Sequence, residues 1–351
     1  MTFRSDHIDR LDSLTLLQRL KLFYLEDILV KKVLVYGWYG QHNLGDEAFK
    51  LSFKELWPNI HFTFVGSIPA NVNEIYDSLW VGGGSFLEQK IQKLDQVTIP
   101  ISFIGVGSAK SPSDSVRAAM ERSDLIVFRD NTAAHLWPKS HTLPDLVFAR
   151  RDLKPLPIVK KKQIAVFLND FVSPLGSKVA DWKSEAYHRF IKEFALILDD
   201  LSFTYEIKLF PMCINPRVDD RKIASAIIAR SDYPQRYDWI LEEQSELALR
   251  TIIQESEFVI AQRFHGLVYS ILCQTPCLTI SSHDKFSSLC SQLDLPFVNF
   301  YKLTKKDFME SLKEMNKITS PKVRQYRRSA IDSWRKIANL KGSAMTSELS
   351  G

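Results

Sequence analysis

Cysteine is scarce: the 351 residues contain four, Cys213, Cys273, Cys277 and Cys290. That is too few, and too scattered, for a disulfide scaffold in a chain of this size. Cys273 and Cys277 lie in an apolar stretch without CxxC pairs or His partners, so buried thiols are expected there and a zinc site is not. Glycine (13) and proline (15) are sparse too, and with 45% hydrophobic and 25% charged residues this excludes a collagen-like, low-complexity or disordered chain. No apolar run approaches the ~18 residues of a membrane span. The N-terminus also lacks the basic start, apolar centre and small-residue cleavage site of a signal peptide. A cytoplasmic protein is the expectation.

Surplus charge is modest as well. The net charge is +5, and Lys305 to Lys341 alone holds eleven basic and four acidic residues, so the surplus belongs to the tail. No nucleic-acid-reading module appears, and no nucleic-acid partner is expected. Tyr326, Ile331, Trp334 and Ile337 fit one helix face beside Lys322, Arg324, Arg327, Arg328, Arg335 and Lys336. A packed final helix with a solvated basic face is favoured; peripheral docking at the inner face of an acidic membrane is the alternative. Another amphipathic pattern, Ile8, Leu11, Leu14, Leu17, Leu20 and Leu25, precedes the first apolar run, and packing on the core is again favoured over a membrane.

The length is about twice the ~150-residue prior for one domain. Short apolar runs recur at Val33–Tyr36, Phe62–Val65, Leu79–Val81, Ile101–Val106 and Leu125–Phe128, several ending in Gly or a charged residue. Helical patterns or loops separate them, which predicts a parallel sheet covered on both faces and closed near Val147. RRDLKPLPIVKKK, at Arg150 to Lys162, is charged and Pro-bearing and reads as a linker. Strands then resume at Gln163–Leu168, Tyr205–Phe210, Phe258–Ala261 and Cys277–Ile280, with helices at Trp182–Leu201, Arg221–Ala229, Gln244–Gln254 and Gly266–Cys273. The predicted fold class is therefore α/β, with two Rossmann-like open parallel-sheet domains facing a cleft. The N-terminal domain covers 1–150, the linker 151–162 and the C-terminal domain 163–304. Basic helices and a tail over 305–351 follow, and their crossing back to brace the first half is an expectation. Ligands of such sheets bind at the carboxyl ends of the strands.

Four constellations fall at such ends. In Gly37-Trp38-Tyr39-Gly40-Gln41-His42-Asn43-Leu44-Gly45-Asp46-Glu47, glycines allow close backbone approach and a helix starting near Asp46 offers amide N–H groups to an anion or a sugar. Asp46 also suits a plain helix N-cap. The segment is neither GxGxxG nor a P-loop. Gly82-Gly83-Gly84 after Val81 makes a bare loop rim. Arg129-Asp130 follows a buried strand, where the Arg can clamp a phosphate or carboxylate unless the two merely pair at the surface. In Arg263-Phe264-His265-Gly266, His265 stands at a helix start beneath the cleft, and its neighbours favour a catalytic over a structural role. Lys285, just past the next strand, shares that rim.

Taken in order, the GxxGxxNxGDE segment, the glycine triplet, the Arg-Asp, the Arg-x-His-Gly and the downstream Lys resemble the polysaccharide pyruvyl transferases over about residues 33–290. Trp38 and His42 vary the usual wording, and the regions before residue 31 and after 305 contribute nothing. The resemblance implies a fold like that of GT-B glycosyltransferases. It implies a reaction in which phosphoenolpyruvate gives its enolpyruvyl unit to two sugar hydroxyls, forming a pyruvate ketal and releasing phosphate. By the same analogy Arg129, His265 and Lys285 build the donor pocket, with Arg263 and Gly266 beside them.

Chemistry supports those types. Phosphoenolpyruvate brings a carboxylate and a phosphate into one small site, so Arg and Lys must offset their repulsion. Its methylene carbon must gain a proton as a hydroxyl attacks C2, and His265 is assigned as that general acid. Gly40, Asn43, Gly45, Asp46, Glu47, Gly82, Gly83 and Gly84 are expected on the acceptor side, with Asp46 the preferred base. The partners expected are phosphoenolpyruvate as co-substrate and a sugar, glycan or lipid-linked oligosaccharide; no cofactor and no metal are indicated. Loops at Ser173–Lys178, Asn215–Asp220 and Pro234–Trp239, and the aromatics Trp38, Tyr39, Tyr237 and Trp239, are candidates for the acceptor site. The rivals are a nucleotide-sugar glycosyltransferase of the same architecture and a catalytically silent glycan-binding protein. Nothing in the pattern sets an oligomeric state.

Overall fold

A computed structural model describes residues 30–84, 87, 89–153, 156–169, 181–315 and 321–347. The Ile8–Leu25 pattern and the Ser173–Lys178 loop lie outside the described residues. The first half contains β1 (Lys32–Tyr36), α1 (Leu44–Leu56), β2 (His61–Val65), β3 (Ser78–Gly82), β4 (Ile101–Val106), α2 (Asp114–Glu121), β5 (Leu125–Phe128) and a two-residue β6 (His141–Thr142). All neighbours are parallel, in the order β2-β1-β3-β4-β5-β6. The order reverses between β1 and β3, so the glycine segment after β1 and the triplet after β3 meet at the switch point, where such sheets bind ligands.

The second half contains β7 (Gln163–Phe167), α3 (Asp181–Ser202), β8 (Glu206–Leu209), β9 (Ile214–Asn215), β10 (Val218–Asp219), α4 (Asp220–Ile228), β11 (Tyr237–Trp239), α5 (Glu246–Glu255), β12 (Phe258–Ala261), α6 (Phe264–Cys273), β13 (Cys277–Ser281), α7 (Asp284–Leu293) and β14 (Phe297–Asn299). Its main sheet, also parallel, runs β11-β8-β7-β12-β13-β14, the Rossmann order with a switch point between β7 and β12. β9 and β10 form a separate antiparallel pair. The two halves are thus the expected pair of open parallel sheets. Strands β6, β9, β10, β11 and β14, of two or three residues each, carry too few positions for a period to show.

Continuous apolar runs became the central strands because both faces are covered: Leu79, Trp80 and Val81 are each 0% exposed, as are Ile164, Ala165 and Val166. One hydrophobic cluster crosses the junction, joining Phe49, Phe53 and Trp80 of the first half to Phe167, Leu267 and Tyr269 of the second. The backbone joins them as well. Leu44 N–H donates to Met212 O (2.9 Å) and Ile214 N–H to His42 O (3.1 Å), and Asn43 and Cys213 form a β-bridge. The charged segment after the first sheet begins tied down, with buried Arg150 paired to Asp152 and to Glu246 of α5.

The chain ends in α8 (Lys305–Lys313) and α9 (Pro321–Ser347). α9 returns to the first half: Trp334 is 0% exposed and its Nε1–H donates to Pro144 O (2.8 Å), Tyr326 packs edge-on against Phe148, and Lys341 pairs with Asp124. Its apolar face is therefore occupied within the protein, while Lys322, Arg324, Arg328 and Lys336 remain at the surface. Among the described residues no helix is long and apolar enough to cross a membrane. All four cysteines are buried free thiols, and burial pushes Cys273 and Cys277 up to about 12.

Candidate active site

The carboxyl ends of both sheets face a cleft of about 770 Å³. It is lined from the first half by Trp38, Gly40, Asn43, Asp46, Gly84 and Arg129, and from the second by Arg263, Phe264, His265 and Lys285. Residues far apart in the chain thus converge as the strand-end rule requires.

Helix α1 begins two residues before the expected Asp46, at Leu44, because Asn43 caps it: its Oδ1 accepts from Gly45 N–H (3.1 Å). That corrects the capping alternative for Asp46 and leaves Asp46 buried, 6% exposed, on the cleft wall. Burial raises its carboxyl above the ordinary value, against the opposing pull of His265, Arg129, Lys285 and Arg263. Gly45 lies directly on the His265 ring, where an added Cβ would come within 2.1 Å of Nδ1.

Arg129 does not pair with its neighbour Asp130. Its Nη1–H donates to Asp145 (2.9 Å), with both side chains nearly inaccessible, whereas Asp130 accepts from the Ser108 hydroxyl and from the Ser108 and Thr132 amides. The surface-pair alternative is therefore wrong. Asp145 also stands 3.6 Å from His265 Nε2. Burial alone would raise this carboxyl, but His265, Arg129 and the Val147 N–H outweigh burial and hold it at about 2. Asp145 thus stays ionised between a guanidinium and an imidazole.

His265, 9% exposed, sits in the first turn of α6, edge-on to Phe49 at 5.2 Å. Its Nε2 makes no hydrogen bond among the described residues, a buried polar atom that a ligand could satisfy. The N-termini of α6 and α7 have no side-chain cap, which leaves amide dipoles directed at the cleft. Half-buried Lys285, in the first turn of α7, lies over the Phe264 ring. Burial, and next to it Arg129, lower its ammonium to about 8.

Other candidates serve different ends. Arg263 lines the cleft, but its guanidinium is forked onto buried Asp220, which also accepts from the Met212 and Cys213 amides. It therefore braces the loop that touches the glycine segment. Glu47 accepts from Gly40 N–H (2.7 Å) and pairs with Lys50, and so folds that segment without lining the cleft. Gly82 and Gly83 admit the rings of Phe53 and Phe49, and Gly266 admits Phe167; of the triplet only Gly84 lines the cleft. Of the four candidate aromatics only Trp38 does so, since Tyr39 is buried with its hydroxyl on Gly82 O and Tyr237 is buried with its hydroxyl on Asp199. Asn215 and Arg217 bring the Asn215–Asp220 loop to the cleft; no residue of Pro234–Trp239 lines it.

Asp145 was not among the residues singled out by sequence, and Asp220 was named only as the end of a candidate acceptor loop. Asp145 follows Pro144 after a two-residue strand, and its only local signal is a helix-capping position. Among the described residues no group of three or more His, Cys, Asp or Glu could hold a metal ion.

Comparison with known proteins bears on the family and the fold. The sequence model for polysaccharide pyruvyl transferase matches residues 43–284. Among solved structures, UDP-GlcNAc 2-epimerase from Methanocaldococcus jannaschii, in complex with UDP-GlcNAc and UDP, superposes with a TM-score of 0.55 at 9% identity, covering 89% of this chain and 99% of that one. Anabaena HepE in complex with UDP-glucose gives 0.57 at 11% identity, covering 90% and 100%. S. aureus MnaA with UDP gives 0.55 at 12% identity, covering 86% and 91%. At these identities the likeness concerns the fold, which is of the GT-B type.

Proposed function

The chain belongs to the polysaccharide pyruvyl transferase family, whose members are transferase enzymes, and from that premise we propose that it moves the enolpyruvyl unit of phosphoenolpyruvate onto two hydroxyls of one sugar in a glycan or glycan precursor. A pyruvate ketal forms and phosphate leaves. One observation carries this reading: Arg129, His265 and Lys285 line a cleft that has room for a second, larger substrate, and ionised Asp145 stands behind them, bonded to Arg129 and 3.6 Å from His265.

In this mechanism Arg129 and Lys285, with the uncapped N-termini of α6 and α7, hold the donor's carboxylate and phosphate. His265 delivers a proton to the methylene carbon as the first hydroxyl bonds to C2. Asp145, held ionised, offsets the positive charge His265 must carry as an acid and keeps both His265 and Arg129 in place. The second hydroxyl then bonds to C2 as the C2–O bond to phosphate breaks. Of the two hydroxyl protons, one replaces the proton given to carbon and the other leaves on phosphate. Asp46, whose burial raises its proton affinity, lines the same cleft beside Gly45 and is the assigned base. Trp38 offers the sugar an apolar face.

The test is a phosphate-release assay with phosphoenolpyruvate and a panel of galactose, mannose and N-acetylmannosamine glycosides, with ketal detected by NMR. Ketal together with stoichiometric phosphate is the expected result. Thermal shift separates the rival donor: a ligand at 100 times its dissociation constant stabilises by about 2.7 kcal/mol. Stabilisation by nucleotide sugars and not by phosphoenolpyruvate would overturn the proposal.

A further inference from the structure

Behind the donor end of the cleft lies a smaller chamber of about 190 Å³. Arg129, Phe264 and Lys285 line both spaces and so form the partition between them. Phe264 is its centre: the Arg129 guanidinium and the Lys285 ammonium each lie 5.4 Å from its ring centroid. Inward, the chamber ends on Asp145, the carboxylate that touches both Arg129 and His265. Outward, its rim of Asn131, Thr142, Ser288 and Gln292 is exposed. No residue of the glycine segment lines it. The chamber therefore connects the back of the catalytic cluster to solvent without passing the acceptor wall.

We propose that this chamber is the departure route for phosphate, an inference that rests on the pyruvyl-transfer reading. The order of bond changes makes such a route useful. Phosphate leaves C2 when the second hydroxyl arrives, and at that moment the first sugar oxygen is already bonded to the same carbon. The acceptor therefore covers the front of the site while the leaving group must depart. Through the rear, phosphate meets Lys285 at the partition and then the hydroxyls and amides of the rim, which replace water hydrogen bonds along the way. The two carboxylates in the wall are already engaged. Asp130 accepts from Ser108 and Thr132, and Asp145 from Arg129 and the Val147 amide.

The test fills the chamber from its exposed rim with Ser288→Trp combined with Gln292→Trp. Single-turnover ketal formation should remain within about twofold of wild type, while steady-state turnover falls about tenfold and a burst of ketal near one per enzyme appears. Turnover at the wild-type rate without a burst overturns the exit route, as does equal loss of the single-turnover and steady-state rates. A second pair guards against misfolding: Gln292→Glu should slow release in a salt-relieved manner and Gln292→Lys should not, since only the former repels a departing dianion. Equal rates in these two variants also overturn it. A wild-type protein that forms no ketal from phosphoenolpyruvate refutes the pyruvyl-transfer reading and this route with it; ketal formation by wild type with no burst in the double variant refutes the route alone.

Discussion

Replacing Gly45 with alanine probes the site by adding a single carbon. Gly45 is the second residue of α1, and its φ is not in the left-handed region, so alanine fits the backbone and by propensity alone would favour the helix by about 0.5–1 kcal/mol. The added Cβ, however, would lie 2.1 Å from His265 Nδ1 and 2.7 Å from its Cγ. Unstrained contacts need about 3.5 Å, so the ring or the helix must give way by more than ~1 Å. The imidazole has little freedom to move, with Phe49 edge-on at 5.2 Å, Phe264 at 5.8 Å and Asp145 3.6 Å from Nε2. A displacement of this size at a reacting group costs about 100-fold in rate. Overpacking costs about 1–3 kcal/mol, partly offset by the helix gain. The expected outcome is kcat for ketal formation lowered about 100-fold with a small change in KM for phosphoenolpyruvate, because Arg129 and Lys285 are not touched. Gly105→Ala is the control: its φ of +66° makes alanine strained, yet the nearest atom to its Cβ is 3.4 Å away and belongs to Leu146. It should lose about 1–2 kcal/mol of stability and keep its turnover. A folded Gly45→Ala protein with near-normal kcat would refute the placement of His265 at the reacting atoms.

Burial and Arg129 hold Lys285 at about 8, so raising the pH through 8 neutralises a donor-binding cation. kcat/KM for phosphoenolpyruvate should then fall about tenfold per pH unit, a limb that Lys285→Arg removes; a wild-type profile flat to about pH 9.5 contradicts this. Asp145→Asn removes the carboxylate that buried Arg129 and His265 share and should lower stability by about 3–5 kcal/mol and turnover by about 100-fold. Melting curves and steady-state kinetics check both effects. Trp38→Ala should raise the acceptor KM about 5–10-fold with the phosphoenolpyruvate KM unchanged, measured with any acceptor that yields ketal.

Much of the fold was legible because parallel strands covered on both faces appear as uninterrupted apolar runs, and each singled-out motif follows one of them. Arg129, His265 and Lys285 were visible for that reason: a charged or imidazole side chain within four residues after Leu125–Phe128, Phe258–Ala261 or Cys277–Ser281 stands near a sheet's carboxyl end. Their partners were not visible, because pairing is tertiary. Arg129 and Asp130 are adjacent in sequence but bond elsewhere, one to Asp145 and the other to Ser108. Asp219 and Asp220 are likewise adjacent but serve different ends: Asp219 caps α4, while Asp220 turns inward to Arg263. The glycines divide on the same ground. Sequence marks them all as places of close approach, and only the packing tells whether a ring or the cleft lies opposite. For the final helix the pattern located the buried face and the return to the first half, but not the partners, such as Pro144 O for the Trp334 indole.

The backbone contact between the glycine segment and residues 212–214 has a bearing on how such a protein can diversify. A strand-like bridge between two sheets requires both partners to keep length and register, so one residue gained or lost on either side would slide every contact. Exchange of a whole half between relatives, an obvious way to graft one specificity onto another, should therefore fail unless the partner loop travels with it. Chimeras cut within Arg150–Lys162 would be rescued by transplanting residues 210–220 together with the first half. The first sheet and the loop at residues 210–220 thus behave as one structural unit, although the chain assigns them to different halves.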